Sequence, residues 1–262
     1  MHHYLQFNDI HFAYSVDRDT LNGISFHLAH GEHVALAGAN GAGKSTLLLH
    51  ANGLLHPTQG SVDVGEVILT PKTEKIIRQR VGMVFQDSDN QLFMPTVEED
   101  VAFGPSAMGL TADEVAHRVE QALADVDALH LRSREPHTLS GGEKRRVAIA
   151  TVLAMTPSIL VMDEPTAGLD PRARRQLIAL LKSFSHTMLI ATHDMDMIYE
   201  LCERTIILNQ GRVMADGPTT EIFTDLALLE DCGLEQPTYM RMGLFSRQIA
   251  AAPAAHSAPE PM

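Results

Sequence analysis

The sequence has few of the residues that mark secreted and membrane-spanning proteins. It contains no tryptophan, two cysteines in 262 residues and only 5% aromatic residues. Cys202 and Cys232 lie far apart and lack metal-ligand spacing, which argues against a disulfide and indicates a reducing compartment. No apolar run approaches the roughly 20 residues that cross a bilayer, and the first residues lack a signal peptide's charged-then-apolar pattern. We therefore expect any transmembrane work to belong to other chains.

Basic residues are also few. Lys and Arg number 20 against 33 Asp and Glu, so the formal net charge is −13. A nucleic-acid surface needs a basic patch, and we therefore expect no nucleic-acid partner. Histidines number 14, but no pair has the helical i, i+4 spacing with a third ligand that a closed metal site requires. His27, His30 and His33 flank a turn and could scavenge a metal, yet we interpret them as incidental surface residues.

The most specific pattern is a glycine-rich run at 38–45, between an apolar strand at 33–37 and a helix predicted from Thr46 to Ala51. Its glycines leave no Cβ between the backbone N–H groups and a bound polyphosphate, and the helix N-terminus attracts negative charge. The spacing is that of the G-x-x-x-x-G-K-S phosphate loop. Lys44 is predicted to reach the β- and γ-phosphates, and the Ser45 hydroxyl to ligate Mg²⁺. The residues predicted to bind nucleotide here are Gly38, Asn40, Gly41, Ala42, Gly43, Lys44, Ser45 and Thr46.

Two carboxylates follow a second apolar strand. The strand at 158–162 is followed by Asp163 and Glu164, and Pro165 lacks the N–H that would extend the ladder. Open α/β sheets bind ligands at the carboxyl ends of their strands. Asp163 is therefore predicted to hold Mg²⁺, and Glu164 to act as general base toward the attacking water.

A second glycine pair begins another helix. Ser140 is predicted to cap a helix from Glu143 to Ala154, while Gly141 and Gly142 open the N–H groups at its start. A helix end of this kind binds an anion. The sequence therefore predicts two separate anion-binding positions, about a hundred residues apart in the chain.

In this order, the motifs resemble those of the ATP-binding subunit of an ABC transporter, over about residues 4–218. The resemblance implies an α/β fold: a P-loop core with a parallel sheet, an antiparallel β subdomain and an inserted helical subdomain. It also implies that Tyr14 stacks on adenine, that Gln86 senses Mg²⁺ and the transport partner, and that His193 senses the γ-phosphate. The implied catalytic residues are Lys44, Gln86, Glu164 and His193, and the implied Mg²⁺ ligands are Ser45, Gln86 and Asp163.

The same resemblance assigns the second glycine pair to a signature loop that binds the ATP held by another subunit. Ser140, Gly141, Gly142 and Glu143 belong to this loop, with Glu143 where most members have glutamine, and Asp170 ends a loop that crosses the dimer interface. One chain thus carries both halves of an ATP site. We expect a homodimer with two ATP molecules between its protomers.

The segment 86–105 resembles that of the ATPases in energy-coupling-factor transporters, which import vitamins and transition-metal ions. Within that group, the link at 184–187 and the run at 192–196 are most similar to the cobalt and nickel ATPases. The resemblance implies a polytopic membrane coupling subunit, a substrate-binding membrane subunit and a peripheral location on the cytoplasmic face of the cell membrane. A vitamin importer, or a soluble ABC ATPase not tied to transport, remains an alternative.

Acidic residues cluster after Gln86. We predict that they steer arginines on short coupling helices of the membrane partner, and a solvated acidic turn is the alternative. The residues concerned are Asp87, Asp89, Glu98, Glu99 and Asp100.

Periodicity divides the chain into three parts. Residues 1–220 are predicted to form the nucleotide-binding domain, with a helical subdomain at about 87–150 that contains an amphipathic helix from Ala112 to Leu123. Residues 221–248 are predicted to form an acidic helical extension that caps the sheet or extends the dimer contact. Residues 249–262, rich in Ala and Pro, are predicted to be disordered.

Overall fold

The computed structural model describes residues 4–15 and 18–242. Within them, ten strands form two sheets, and the helices lie on both faces of the larger sheet. In the same part of the chain, no helix is long and apolar enough to cross a membrane. The tail predicted to be disordered, 249–262, and residues 243–248 of the extension lie outside the described residues.

The strands are β1 (Leu5–Ser15), β2 (Arg18–Leu28), β3 (His33–Ala37), β4 (Gln59–Val64), β5 (Val67–Ile68), β6 (Val81–Val84), β7 (Ile159–Asp163), β8 (Thr187–Thr192), β9 (Arg204–Asn209) and β10 (Arg212–Pro218). The larger sheet has the order β10-β9-β3-β8-β7-β6, and all its neighbours are parallel except β9 and β10. The smaller sheet, β2-β1-β4-β5, is antiparallel.

The helices are α1 (Lys44–Ala51), α2 (Glu74–Arg80), α3 (Val97–Ala107), α4 (Ala112–Asp125), α5 (Gly141–Leu153), α6 (Pro171–Lys182), α7 (Met195–Leu201), α8 (Thr219–Ile222), α9 (Leu226–Asp231) and α10 (Thr238–Arg241). Helices α3, α4 and α5 all lie between β6 and β7 in the chain and pack on one another. The predicted fold class, a parallel α/β core with an antiparallel sheet and inserted helices, is confirmed.

Alternate residues of each central strand face opposite sides of the larger sheet, which is why its strands are apolar throughout. In β3, Val34 and Leu36 join a core with the smaller sheet, α1 and α2. Ala35 and Ala37 join a second core with α3 to α7. The larger sheet therefore separates two apolar layers and holds the ends of its strands in fixed positions.

The three inserted helices begin with the same capping arrangement. In each, a hydroxyl accepts the N–H of a glutamate three residues later, whose carboxylate accepts the N–H of the capping residue. Such a box satisfies N–H groups that a helix start leaves unpaired. The helix predicted at 112–123 is confirmed and continues to Asp125. Helix α5 begins at Gly141 rather than at the predicted Glu143, because Ser140 is its cap. The pairs are Thr96 with Glu99, Thr111 with Glu114 and Ser140 with Glu143.

Four parallel strands, β3, β8, β7 and β6, lie side by side and end at the same edge of the sheet. The phosphate loop follows β3, His193 follows β8, Glu164 follows β7 and Gln86 lies shortly after β6. Because parallel strands present their carboxyl ends together, these four segments converge at one place.

Candidate functional site

The phosphate loop needs its glycines for backbone reasons. Gly43, directly before α1, has a φ of 107°, which residues with a side chain rarely adopt. A Cβ on Gly38 would lie 2.3 Å from the carbonyl oxygen of Leu208. The loop therefore packs tightly against β9, and no side chain at the cap position Gly43 bonds the N–H groups at the start of α1, which favours binding of a polyphosphate there.

Lys44 lies across this loop. Its ammonium donates to the carbonyl oxygens of Gly38 at 2.7 Å and Ala39 at 3.2 Å. Burial lowers the pKa of Lys44, and the carboxylates of Glu164 and Asp163 oppose that shift. The Lys44 side chain is buried, and its hydrogen bonds hold the ammonium against the loop. The positive charge can therefore act on a ligand bound in the loop.

Asp163, at the end of β7, fits the predicted Mg²⁺ site. Its Oδ1 atom is buried without a hydrogen-bond partner, and its carboxylate bonds the Ser45 side chain. Burial raises the pKa of Asp163, with Ser45 and Lys44 acting in the opposite direction and Glu164 adding to the rise. A buried oxygen without a partner is costly, and Mg²⁺ prefers oxygen ligands. The oxygen donors of Ser45, Gln86 and Asp163 therefore suit Mg²⁺.

Glu164 and His193 are joined directly. The Oε1 atom of Glu164 accepts from the His193 ring Nδ1 at 2.7 Å and from its backbone N–H at 3.1 Å, while Oε2 accepts from the Thr192 hydroxyl at 2.8 Å. Glu164 has a φ of 44°, uncommon for a residue other than glycine. Its carboxylate is buried, whereas the His193 side chain is 62% exposed. The strained backbone and three hydrogen bonds fix one orientation of the carboxylate.

These groups line one cavity of about 340 Å³, which we call the phosphate-loop cavity. Tyr14 is not among its lining residues, but its hydroxyl lies 3.4 Å from the Thr46 hydroxyl and its side chain is exposed. The stacking of Tyr14 on adenine stays a prediction. Gly38 and Ala42 belong to the loop but are not among the residues that line this cavity. The lining residues are Thr20, Asn40, Gly41, Gly43, Lys44, Ser45, Thr46, Gln86, Asp163, Glu164 and His193.

The signature-loop residues lie elsewhere, around a second cavity of about 290 Å³, the signature cavity. It shares no lining residue with the phosphate-loop cavity. The Glu143 carboxylate accepts from the Ser140 N–H at 2.8 Å and hydroxyl at 2.7 Å, and these bonds lower the pKa of Glu143. Arg146 and Arg172, which were not predicted as site residues from the sequence, add positive charge to this lining. The polar residues and glycines of the lining include Ser140, Gly141, Gly142, Glu143, Arg146, Asp170 and Arg172.

The acidic extension packs beside the phosphate loop. The Thr238 N–H donates to Asp196 of α7 at 2.6 Å, and the Tyr239 and Tyr199 rings stack. Residues 233–238 and Arg241 enclose a third cavity with Ala39, Asn40 and His193. Contact between the acidic extension and a dimer partner stays a prediction.

The five acidic residues after Gln86 do not form a free acidic surface. Asp100 is buried, and its Oδ1 accepts from the N–H groups of Phe93 and Met94 at 3.0 Å each, so the prediction that Asp100 steers a partner is wrong. Each of the others has an internal partner, but Asp89 and Glu98 keep large exposed fractions. The pairs are Asp87 with the Asp89 N–H, Asp89 with Lys144, Glu98 with Arg132 and Glu99 with Thr96.

Sequence reasoning also missed the polar contacts that support the motifs. Asp194 accepts two hydrogen bonds of 2.8 Å from Arg174 of α6 and so fixes the chain after His193. Arg145 of α5 donates to the carbonyl oxygens of Phe85, at 2.6 Å, and Gln86. The only signal in the sequence is that each side chain adjoins a motif. In the described residues, no group of three or more His, Cys, Asp or Glu side chains could hold a metal ion.

A phosphate loop on a parallel sheet, with two carboxylates at the end of a neighbouring strand, defines a P-loop nucleotide hydrolase. The sequence profile described as "ABC transporter" matches residues 21–167. The chain therefore belongs to the ABC transporter family, as an ATP-binding protein of that family. Membership implies that the chain binds and hydrolyses ATP.

Curated relatives agree. A putative ABC transporter ATP-binding protein of Geobacter sulfurreducens is 57% identical over 240 residues, which cover 92% of this chain and 96% of the relative. The energy-coupling factor transporter ATP-binding protein EcfA1 of Methanospirillum hungatei is 44% identical over 254 residues, covering 95% of this chain and 92% of that protein. The predicted resemblance to energy-coupling-factor ATPases is confirmed.

Solved structures share the fold. The cbiO1 protein of Clostridium perfringens, described as part of the ABC transporter complex cbiONQ, matches with a TM-score of 0.80 and 36% identity, over 95% of this chain and all of that one. The ATP-binding cassette MJ0796, solved as a dimer in a post-hydrolysis state with ADP and Pi, matches with a TM-score of 0.72 and 27% identity, over 82% of this chain and 98% of that one.

Proposed function

We propose that this protein is the ATP-hydrolysing subunit of an energy-coupling-factor ABC importer that takes up a transition-metal ion, cobalt or nickel. The observation that carries the proposal is that the phosphate-loop residues and the signature-loop residues of one chain line two separate cavities. The likeness to EcfA1 and to cbiO1 supports a transport role of this type. The metal cargo rests on the resemblance of residues 184–187 and 192–196 to cobalt and nickel ATPases.

The phosphate-loop cavity suits hydrolysis of the terminal phosphate. Lys44 and the N–H groups of the loop bind the phosphates, and Glu164 accepts a proton from the attacking water. His193 orients the Glu164 carboxylate through its 2.7 Å contact. Mg²⁺, which Ser45, Gln86 and Asp163 would hold, supplies positive charge that offsets the charge of the phosphates. The protein's contribution is positioning and charge stabilisation.

We propose that two copies of this chain form the complete sites. Because the two cavities of one chain are separate, Ser140 and Gly142 meet an ATP bound to the phosphate loop of the other copy. The exposed helix start and Arg146 offer positive charge to that γ-phosphate. ATP then joins the copies head to tail, and hydrolysis lets them separate. The dimeric state of the MJ0796 structure is consistent with this arrangement.

A docking surface for the membrane partner follows from the exposed side chains near Gln86. The Phe93 and Phe103 rings are 63% and 49% exposed and meet edge to face at 5.2 Å. The carboxylates of Asp89 and Glu98, in the same stretch of the chain, remain accessible. We propose that an arginine-bearing helix of a polytopic membrane subunit packs on this aromatic pair, which places the protein at the cytoplasmic face of the membrane.

Phe93→Ser tests this surface, because the exposed ring can be removed without opening a core. We expect lower co-purification with the membrane subunit and unchanged ATP hydrolysis by the isolated chain. Ile68→Ser, at an exposed apolar residue of β5 in the smaller sheet, is the matched control. Equal co-purification of both variants would place the docking surface elsewhere.

The overall function is tested by co-expressing the chain with polytopic membrane proteins encoded beside it and measuring uptake of radioactive Co²⁺, Ni²⁺ and vitamins. We expect ATP-dependent uptake of one of the metals by a complex that contains this chain. Uptake of a vitamin alone would favour a vitamin importer. Absence of any complex or uptake, with ATP hydrolysis intact, would favour a soluble ABC ATPase.

A further inference from the structure

The segment that follows β6 is held by two side chains. Arg145 belongs to α5, and Gln91 is bonded to α5. Strand β6 is the edge strand of the larger sheet and pairs with β7 only as far as Val84. Beyond it, the Phe85 N–H donates to the Gln91 side-chain oxygen at 3.2 Å, and the Gln91 amide donates to the Ala148 carbonyl of α5 at 2.7 Å. The Phe85 carbonyl accepts from Arg145 of α5 at 2.6 Å. Side chains therefore satisfy backbone groups that the sheet leaves unpaired.

Arg145 is unusual for an arginine because it is only 4% exposed. Its guanidinium also donates to the Gln86 carbonyl, and its Nε atom has no partner. Burial lowers the pKa of Arg145, while the carboxylates of Asp87 and Asp163 oppose the shift. Burying a cation costs free energy, and hydrogen bonds from that cation to nearby acceptors offset the cost. The cation here binds the main chain of Gln86 and lies within electrostatic reach of Asp163, both predicted to hold Mg²⁺.

The same helix carries the signature loop at its N-terminal end, close to Arg145. Helix α5 begins at Gly141, and Ser140 caps it. At 1.5 Å per residue, Arg145 stands only about 7.5 Å along the axis from Ser140. The first one and a half turns of α5 therefore link Arg145 rigidly to Ser140 and Gly142. If the Gln86 backbone shifts and Arg145 moves with it, Ser140 and Gly142 move as well.

We propose that Arg145 is a positioning residue that couples the two ATP sites of the dimer, because it ties the Gln86 backbone of one site to the helix end that serves the other site. This inference rests on the proposed two-copy arrangement. Closure of one phosphate-loop cavity around ATP then orients α5 for the second ATP. Occupation of the two sites becomes cooperative through a physical link between them.

The test compares Arg145→Met, which keeps an unbranched stem but removes every donor, with Arg145→Lys, which restores one cationic donor. Arg118→Met is the matched control, since Arg118 also donates to a backbone carbonyl, that of Ala154 at 3.3 Å, but from α4 and outside both cavities. Each change is made in the full chain. A second set of variants carries Glu164→Gln, so that the ATP-bound dimer accumulates.

Two readouts are measured: the Hill coefficient of hydrolysis, and the ATP concentration at half-maximal dimerisation in the Glu164→Gln set. For the parent and Arg118→Met we expect a Hill coefficient above 1, with two sites as its upper limit. For Arg145→Met we expect a coefficient near 1 and a roughly tenfold higher ATP concentration for dimerisation, with partial recovery in Arg145→Lys. An unchanged coefficient and dimerisation in Arg145→Met, or no cooperativity in the parent, would overturn the proposal.

Mixed dimers separate coupling from local damage. One protomer carries Arg145→Met and its partner is unchanged, and binding of fluorescent ATP at the partner's phosphate loop is measured with the altered protomer's own loop open and with that loop blocked by Lys44→Ala. In a dimer with Arg145 intact, the proposal predicts that the block weakens binding at the partner's loop, which α5 of the blocked protomer serves; with Arg145→Met, the block should have no such effect. An equal effect of the block in both dimers would overturn the proposal, and Arg145→Lys repeats the test if Arg145→Met does not fold. If the parent with Glu164→Gln forms no dimer with ATP, the two-copy arrangement itself fails, which is a different result.

Discussion

Glu164→Gln separates chemistry from binding, and the structure sets the size of both effects. The amide cannot accept a proton from water, so loss of a general base predicts a fall in turnover of about 100-fold or more. The replacement keeps most local contacts: its oxygen still accepts from His193, and its N–H₂ group can donate to the Thr192 hydroxyl, which now donates to Glu164 at 2.8 Å. One rearranged hydrogen bond costs about 1 kcal/mol, or a few degrees in melting temperature.

Phosphate release, thermal unfolding and size-exclusion chromatography with light scattering measure these effects on one preparation. We expect slow release, near-parental melting and an ATP-dependent dimer. Glu74→Gln is the matched control, because Glu74 is a hydrogen-bonded carboxylate on α2, away from both cavities. Turnover within about threefold of the parent would refute the general-base assignment, since removal of such a group costs far more. A loss of turnover accompanied by unfolding would refute the expectation that Glu164→Gln leaves the fold intact.

Three further changes address other parts of the site. Lys44→Ala removes a buried ammonium that donates to two carbonyl oxygens of the phosphate loop; we expect hydrolysis to fall more than tenfold at an almost unchanged melting temperature, measured by phosphate release and calorimetry. Ser140→Ala and Thr111→Ala each remove a helix cap, which costs about 0.5–2 kcal/mol in thermal unfolding, but only Ser140→Ala should also raise the ATP concentration needed for dimerisation. Burial raises the pKa of Asp194, but Arg174 outweighs it and the net pKa falls below the usual 3.8. Its contribution to stability is therefore complete above that pH and is lost as the pH falls through the lower folded value, so Asp194→Asn should flatten the melting temperature between about pH 5 and pH 2. A variant as acid-sensitive as the parent would contradict this.

Local patterns predicted the core of the site because its chemistry depends on short runs of sequence. The phosphate loop needs glycines at fixed spacing, and parallel strands bring their carboxyl ends together whatever the details of the loops. The convergence of Lys44, Gln86, Asp163 and His193 on one cavity follows from those two facts. The cap at Ser140 is likewise a local property, although the start of its helix was placed two residues late.

Contacts between distant segments could not be predicted in the same way. Arg145 reads as one more basic residue on an exposed helix until α5 packs against the end of β6. Asp100 reads as part of an acidic surface, but packing turns it inward to bond the chain at Phe93 and Met94. The direct contact of Glu164 with His193 joins the ends of two neighbouring strands, and Glu164 adopts there a φ of 44° that its sequence neighbours do not require.

The central claim, that two copies of this chain share each ATP, is tested most directly by a crosslink between copies. Asn40→Cys marks the phosphate-loop cavity in one copy, and Gly141→Cys marks the signature cavity in a second, differently tagged copy. Gly141 accepts a side chain, because its Cβ would meet only Leu169 at 4.0 Å, and the native Cys202 and Cys232 are buried. With ATP and a short bifunctional thiol reagent, the account predicts a double-mass species bearing both tags, and none without ATP. Absence of that species at saturating ATP, with nucleotide bound to both the Asn40→Cys and the Gly141→Cys copy, would contradict it.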